Sequence, residues 1–187
     1  SRGLGDVYKR QVVGDQLRFY YIGFKGGDPS SYMHSNGATG MAILRRDGFA
    51  SMSTTGEGSL TTRPVTFTGK YLFVNVDCPS GELKVEILDK NNKVIDDLSA
   101  DKCKAVSIDS TIQQIEWNGS SDLSSLVGQE VKFRFKLKNG DLYAFWVSPS
   151  TNGESNGYVA GGGPGYISNK DTEGKKAVSY THLRAHE

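Results

Sequence analysis

Three side chains at the C-terminus have the spacing of a metal site. His182 and His186 lie four residues apart, one helical turn, and Glu187 follows directly. Two histidines at this spacing on one helix face bind zinc in metalloproteases. A terminal tail, however, supplies no third ligand and no second group to orient the rings. We therefore predict no metal site at this end of the chain, and no cofactor.

The remaining histidine, His34, lies in the polar loop "GGDPSSYMHSNGATG". No cysteine adjoins it and no general-base partner is evident, so an exposed loop histidine is favoured over a substrate contact. The glycine-rich stretch "GGGPGY" lacks the lysine and the following helix of a phosphate-binding loop. Acidic residues fall in turns or on strand surfaces, which leaves no assignable acid and nucleophile pair. The chain by itself is predicted not to be an enzyme.

Composition limits the classes of partner. The 187 residues carry a formal charge of +1 and 36% hydrophobic side chains, enough for one domain with a real core. Near-neutral charge predicts neither a nucleic acid nor an anionic membrane as partner. No apolar run approaches the roughly 18 residues of a membrane helix. Cys78 and Cys103 could pair if the protein is secreted, although buried thiols are favoured.

Strand and turn patterns dominate the chain from Val12 onward. "VVGDQLRFYYIGF" and "MAILRR" are apolar on both faces, which is typical of strands buried on both sides, and the Asp47-Gly48 turn closes them. Small polar residues from 51 to 59 predict a crossing between units. Alternating strands then follow at sandwich spacing up to about residue 150, interrupted by one short helical turn in "SSDLSSLVGQ". Residues 151–176 form a glycine-rich tail.

A hairpin is predicted in "VKFRFKLKNGDLYAFWV", because Asn139-Gly140 is a strong type I′ turn signal. A two-residue loop would pair Lys138 with Asp141 and set the register outward. The face predicted to enter the core carries Phe133, Phe135, Leu137, Leu142, Ala144 and Trp146. The opposite face carries the candidate site, which mixes cations with aromatic rings: Arg134, Lys136, Tyr143 and Phe145.

The two ends match nothing in the pattern between them. "SRGLGDVYKRQ" and "VSYTHLRAHE" resemble peptides at the ends of metagenomic reading frames, where sequencing-adapter DNA has been translated. This resemblance implies that residues 1–11 and 177–187 are not native, and that the histidine pair of the tail is an artefact.

The middle of the chain resembles a known family. "LRRDGFAS", "LTTRPVTF" and "GSSDLSSLVGQ" with the strands after it are similar to the C-terminal region of bacterial invertase/levanase-type glycoside hydrolase proteins. The resemblance covers about residues 12–165 and implies an all-β fold. Residues 12–50 would be a remnant of the last β-propeller blade, and 51–150 an antiparallel, jelly-roll-like β-sandwich. The family's catalytic carboxylates belong to earlier blades, so none is carried over. Secretion or a periplasmic location is also implied.

Two functions follow from this resemblance. The sandwich would scaffold the propeller domain of the parent chain, with Arg134, Lys136, Tyr143 and Phe145 at the contact between them. Alternatively, it would be a carbohydrate-binding module that recognises a polysaccharide through the same face. An autonomous enzyme is the least favoured interpretation.

Overall fold

The computed structural model describes residues 10–25, 36–120, 122–159 and 162–179. They form two antiparallel sheets with two short 3₁₀ turns and one short helix, so the predicted all-β sandwich class is confirmed. His34, His182, His186 and Glu187, named in the sequence-based predictions, lie outside the described residues.

The first sheet is a three-stranded meander of β1 (Arg10–Val13), β2 (Gln16–Phe24) and β3 (Gly37–Arg45), in that order. A turn at Gly14, with φ of 58°, joins the first two strands. The predicted turn after β3 is present: Asp47 has φ of 51°, and the Gly48 amide donates to the Arg45 carbonyl at 3.0 Å. Burial on both sides is not found, since Ile22 is 64% exposed.

The second sheet contains five strands in the region predicted as a sandwich. They are β4 (Met52–Thr61), β5 (Tyr71–Asp77), β6 (Glu82–Leu88), β7 (Asp109–Gln114) and β8 (Lys132–Ser148). The order is β4-β8-β5-β7, and β6 also pairs with β8. The predicted crossing over residues 51–59 is wrong, because those residues form most of β4. The predicted helical turn is confirmed as the 3₁₀ turn Ser124–Leu126.

β8 is one strand of 17 residues, so the predicted hairpin is wrong. Residues 132–138 pair with β6, and residues 141–148 pair with β5. On the other edge, residues 134–142 pair with β4. Asn139 adopts the positive φ that a type I′ turn requires, at 44°, but Gly140 does not. The chain therefore turns a corner at this point without pairing with itself.

Ring distances show how sharply β8 bends. Phe133 and Phe145 are twelve residues apart, which is roughly 40 Å along a straight strand. Their ring centroids lie only 5.6 Å apart, and those of Phe135 and Phe145 lie 5.0 Å apart. The two arms of β8, residues 132–138 and residues 141–148, must therefore face each other across the core. Strands that switch layers at a bend are the usual corners of orthogonal sheet packing.

The core between the two arms is continuous. It includes Leu72, Val74, Val76, Val85, Ile87, Trp117, Leu123, Phe133 and Phe135, all at most 6% exposed. Cys78 and Cys103 belong to the same cluster as free, buried thiols, which confirms the favoured prediction for them. Burial raises the pKa of both thiols, so they remain protonated and act as small apolar side chains.

A bulge at Tyr143 changes which side chains of β8 point inward. Asn75 pairs with Ala144 while Val76 pairs with Leu142, so Tyr143 is the extra residue. Before the bulge, Phe133 and Phe135 point into the core as predicted. After the bulge, the prediction of which side chains point inward is wrong, because Phe145 packs against the core and Trp146 lies on the outer face. There Trp146 stacks on Phe73 at 5.8 Å and donates to the Gly153 carbonyl at 3.0 Å.

Two glycines allow the backbone to close around the corner. A Cβ added to Gly81, between β5 and β6, would lie 1.8 Å from the Lys138 carbonyl oxygen. A Cβ added to Gly140 would lie 2.6 Å from the Asp77 carbonyl oxygen. Both distances are far inside van der Waals contact, and both obstacles are backbone atoms that cannot rotate away.

We expect Gly81→Ala to lower the free energy of unfolding by about 1–3 kcal/mol, the usual cost of overpacking. The corner of β8 must open to admit the added methyl group. Gly56→Ala in β4 is the matched control, since a Cβ there meets nothing within 4 Å. Urea denaturation of both variants measures the difference. Equal stability of the two variants would contradict the close approach at the corner.

Candidate functional site

The structure does not bring the four predicted site residues onto one face. Arg134 and Lys136 lie together on the outer side of the first arm of β8. Tyr143 stands at the bulge, where the guanidinium of Arg45 lies 4.7 Å above its ring. Phe145 packs into the core against Phe133 and Phe135. The bulge explains the separation, because it reverses the alternation on which the prediction rested.

Arg134 and Lys136 bind one buried carboxylate. Glu86 of β6 is only 4% exposed and is the direct cross-strand partner of Arg134. Arg134 Nη1 lies 2.8 Å from Glu86 Oε1, and Lys136 Nζ lies 3.1 Å from Oε2. Burial alone would raise the pKa of Glu86, but the hydrogen bonds and charges of Lys136 and Arg134 hold it below its ordinary value. Both cations are therefore committed to a structural ion-pair cluster.

An open groove of about 490 Å³ runs beside this cluster. Its polar lining consists largely of ion-paired groups, such as Lys138 with Glu57 at 3.7 Å and Lys84 with Glu82 at 4.0 Å. Among the described residues that line it there is no aromatic ring. The groove therefore offers charged hydrogen-bonding groups but no platform on which a sugar ring could stack.

A second cluster joins the two sheets, and we call it the arginine junction: Arg45, Arg46, Asn75, Tyr143 and Asp171. Arg45, at the end of β3, donates from Nε to Asn75 Oδ1 at 2.7 Å and from Nη2 to the Val76 carbonyl at 3.0 Å. Its Nη1 pairs with Asp109 of β7. One guanidinium thus contacts β5, β7 and the ring of Tyr143 on β8.

Arg46 completes the junction from the opposite side. It is 8% exposed, and its Nη2 lies 3.1 Å from Oδ2 of Asp171, which is 2% exposed. Its carbonyl accepts from Asn75 Nδ2 at 2.7 Å, and its amide donates to the Asp15 carbonyl at 2.8 Å. Asn75 therefore bridges the two arginines, with its oxygen on Arg45 and its nitrogen toward Arg46.

Asp171 holds the segment after β8 in place. Besides Arg46, its carboxylate accepts from the amides of Gly174 at 2.9 Å and Ser155 at 3.3 Å. The amide of Val12 in β1 also donates to the Gly162 carbonyl at 2.8 Å. The glycine-rich tail is therefore a folded-back segment that contacts the first sheet.

One short motif near Asp171 has the letters of a nucleophile elbow, "GESNG" at residues 153–157. The structure does not place it on a strand-turn-helix unit; it follows β8 as irregular chain. Ser155 Oγ donates to Asp171 Oδ2 at 3.2 Å rather than to a histidine. Ser155 and Asp171 are therefore better explained as anchors of the segment than as a nucleophile and its base.

Within the described residues, no group of three or more histidine, cysteine or acidic side chains could hold a metal ion. None of the helices described is long and apolar enough to cross a membrane. No protein-family model, curated protein or solved structure matches the chain.

We expect Glu86→Gln to lower the free energy of unfolding at pH 7 by about 1.5–3 kcal/mol, the scale of hydrogen bonds to charged groups. The pKa of Glu86 is depressed on folding, so its contribution is present above the unfolded pKa of about 4.3 and lost as pH falls through the folded value. The wild-type advantage should therefore be present at neutral pH and shrink as the pH falls below the unfolded pKa toward the lower folded value.

Glu57→Gln is the matched control, because Glu57 is 83% exposed and its ion pair with Lys138 is long, at 3.7 Å. Exposed pairs of this kind contribute at most about 1 kcal/mol. Urea denaturation across the pH series compares the two variants. A Glu86→Gln difference that stays constant with pH would show that the carboxylate charge is not what stabilises this cluster.

Proposed function

We propose that this chain is a non-catalytic accessory β-sandwich of a glycoside-hydrolase-like protein, and that it scaffolds a β-propeller. In this proposal β2, β3 and the part of β1 from Val12 onward belong to the last propeller blade, and the arginine junction fixes that blade to the sandwich. The motif resemblance described above supports the proposal, as does the division of the chain into one sheet before Gly48 and another after it.

The observation that carries the proposal is an exposed apolar face on the first sheet. The register of β2 and β3 places five large side chains on one side of it: Tyr20, Ile22, Phe24, Met41 and Ile43. Their exposed fractions run from 38% to 64%. Contiguous apolar area of this kind marks an interaction surface in soluble proteins. A neighbouring layer of apolar strands, such as a propeller blade supplies, would cover it.

The arginine junction suits a scaffold because it fixes the orientation of the apolar face. Arg45 and Arg46 are consecutive, yet they point to different partners, Asp109 and Asn75 on one side and Asp171 on the other. Charged hydrogen bonds are directional, and several from adjacent residues leave little freedom to rotate. A blade attached in this way would hold the sandwich at one defined angle.

Docking can be tested with the propeller portion of the parent protein expressed separately. We expect the double variant Ile22→Ser, Ile43→Ser to bind it at least tenfold more weakly than the wild type, because the apolar face loses two of its five side chains. Calorimetry measures the affinity. The matched control is Ile108→Ser with Ile167→Ser, which changes two exposed isoleucines outside the face, 43% and 85% exposed. Equal loss in both pairs, or no binding by the wild type, would refute the proposal.

The proposal also requires the purified chain to lack glycosidase activity. We expect no turnover of fructans or aryl glycosides, because the buried carboxylates among the described residues, Glu86 and Asp171, are held in ion pairs and backbone hydrogen bonds. Release of reducing sugar and of the aryl group are the measurements. Turnover that disappears when one of the chain's own carboxylates is replaced by its amide would contradict a purely scaffolding role.

A further inference from the structure

A second cavity, of about 330 Å³, lies between the first sheet and the segment after β8. It is separate from the groove beside Lys136, and its volume is within the range of small-molecule sites. The lining residues that matter here are Phe19, Arg46, Phe49, Tyr158, Tyr166 and Asp171. Aromatic rings and a few convergent polar groups are the usual composition of such sites.

Two of the lining residues each carry a buried polar atom that has no hydrogen-bond partner. Among the described residues, Arg46 Nη1 and Tyr166 Oη are the buried side-chain nitrogen and oxygen atoms left unpaired. They belong to neighbouring groups, since the Arg46 guanidinium lies 5.5 Å from the centre of the Tyr166 ring. Native proteins leave few buried polar atoms unpaired, and each such atom calls for an explanation. Burial raises the pKa of Tyr166 to about 12, so its hydroxyl keeps its proton.

Exposed aromatic rings border the same cavity. Phe49 is 73% exposed and Tyr158 is 74% exposed, which is unusual for side chains of this size. Phe49 is held from beneath by an edge-to-face contact with Phe19, with centroids 6.4 Å apart. The rim thus presents two aromatic surfaces above a polar floor, and Phe19 supports one of them.

The floor of the cavity, formed by Arg46, Tyr166 and Asp171, already has balanced charge. Arg46 pairs with Asp171 at 3.1 Å and approaches Asp47 at 3.6 Å, so the guanidinium does not require a further anion. What the floor lacks is an acceptor for Arg46 Nη1 and a partner for the Tyr166 hydroxyl. A neutral ligand with several hydroxyl groups satisfies both needs, because a hydroxyl both donates and accepts.

We infer that this cavity binds a neutral carbohydrate of one or two rings. The C–H face of a sugar ring would pack on Phe49 and Tyr158, and its hydroxyl groups would pair with Arg46 Nη1 and Tyr166 Oη. Both atoms are shielded from water, so the Tyr166 side chain must shift as the sugar enters. Its hydroxyl makes no hydrogen bond that would oppose this movement. The site goes beyond the scaffolding role, and neither proposal depends on the other.

The experiment is saturation-transfer NMR on the intact chain with methyl glucopyranoside, methyl galactopyranoside, methyl fructofuranoside and glucuronate as probes. We expect at least one neutral glycoside to receive saturation on its ring C–H protons. Phe49→Ala and Tyr158→Ala should each weaken that binding about tenfold or more. Tyr21→Ala, which removes a 57% exposed ring outside the cavity, is the matched control and should bind as the wild type does.

Tyr166→Phe tests the floor without disturbing the fold, because the lost hydroxyl has no partner. We expect this variant to be at least as stable as the wild type and to bind the glycoside several-fold more weakly. Absence of saturation transfer to every neutral glycoside would overturn the inference. So would binding of glucuronate alone, which would indicate an anion site, or neutral binding that survives both Phe49→Ala and Tyr158→Ala.

Discussion

The bend in β8 is the constraint on which the rest of the sandwich depends. Because one strand supplies both layers, both of its arms contribute side chains to the core, with Phe133 on one arm and Phe145 on the other. Its neighbours must follow the bend: β4 does so with a bulge between Thr54 and Glu57. On the other edge the chain breaks into β5 and β6, with Gly81 against the corner. Backbone contact at one point therefore determines where three strands begin, end or kink.

Polar contacts, by contrast, join the first sheet to this sandwich. Charged groups at a buried junction contribute less to stability than their number suggests, because each loses its hydration. Their value here is geometric, since Arg45 and Arg46 accept only partners placed in fixed directions. Asn75 meets both arginines, so the sheet cannot rotate without breaking hydrogen bonds on each side. An apolar junction of the same area would permit more sliding, and the exposed apolar face would lose its defined orientation.

Sequence reasoning succeeded where one pattern had one structural meaning. Alternation placed Phe133 and Phe135 inside correctly, because a regular strand preserves its period. The Asn139-Gly140 pair led to the wrong prediction of a hairpin, because an asparagine with positive φ can form a corner within one strand as well as a hairpin turn. The bulge at Tyr143 has no signature of its own, and one extra residue moved Phe145 from the predicted surface to the core. The Arg46 and Asp171 pair spans 125 residues and leaves no local pattern by which to find it.

Two buried carboxylates show what separates a structural cluster from a candidate binding site. Both Glu86 and Asp171 are at most 4% exposed and each contacts arginine, so composition does not distinguish them. Around Glu86 each carboxylate oxygen has a cationic partner, and the cations reach solvent. Around Asp171 the carboxylate is satisfied, but Arg46 retains an unpaired nitrogen beside an unpaired Tyr166 hydroxyl. A completed network stabilises the fold, whereas an incomplete one beside a cavity still has hydrogen bonds to offer, and a ligand is what can accept them.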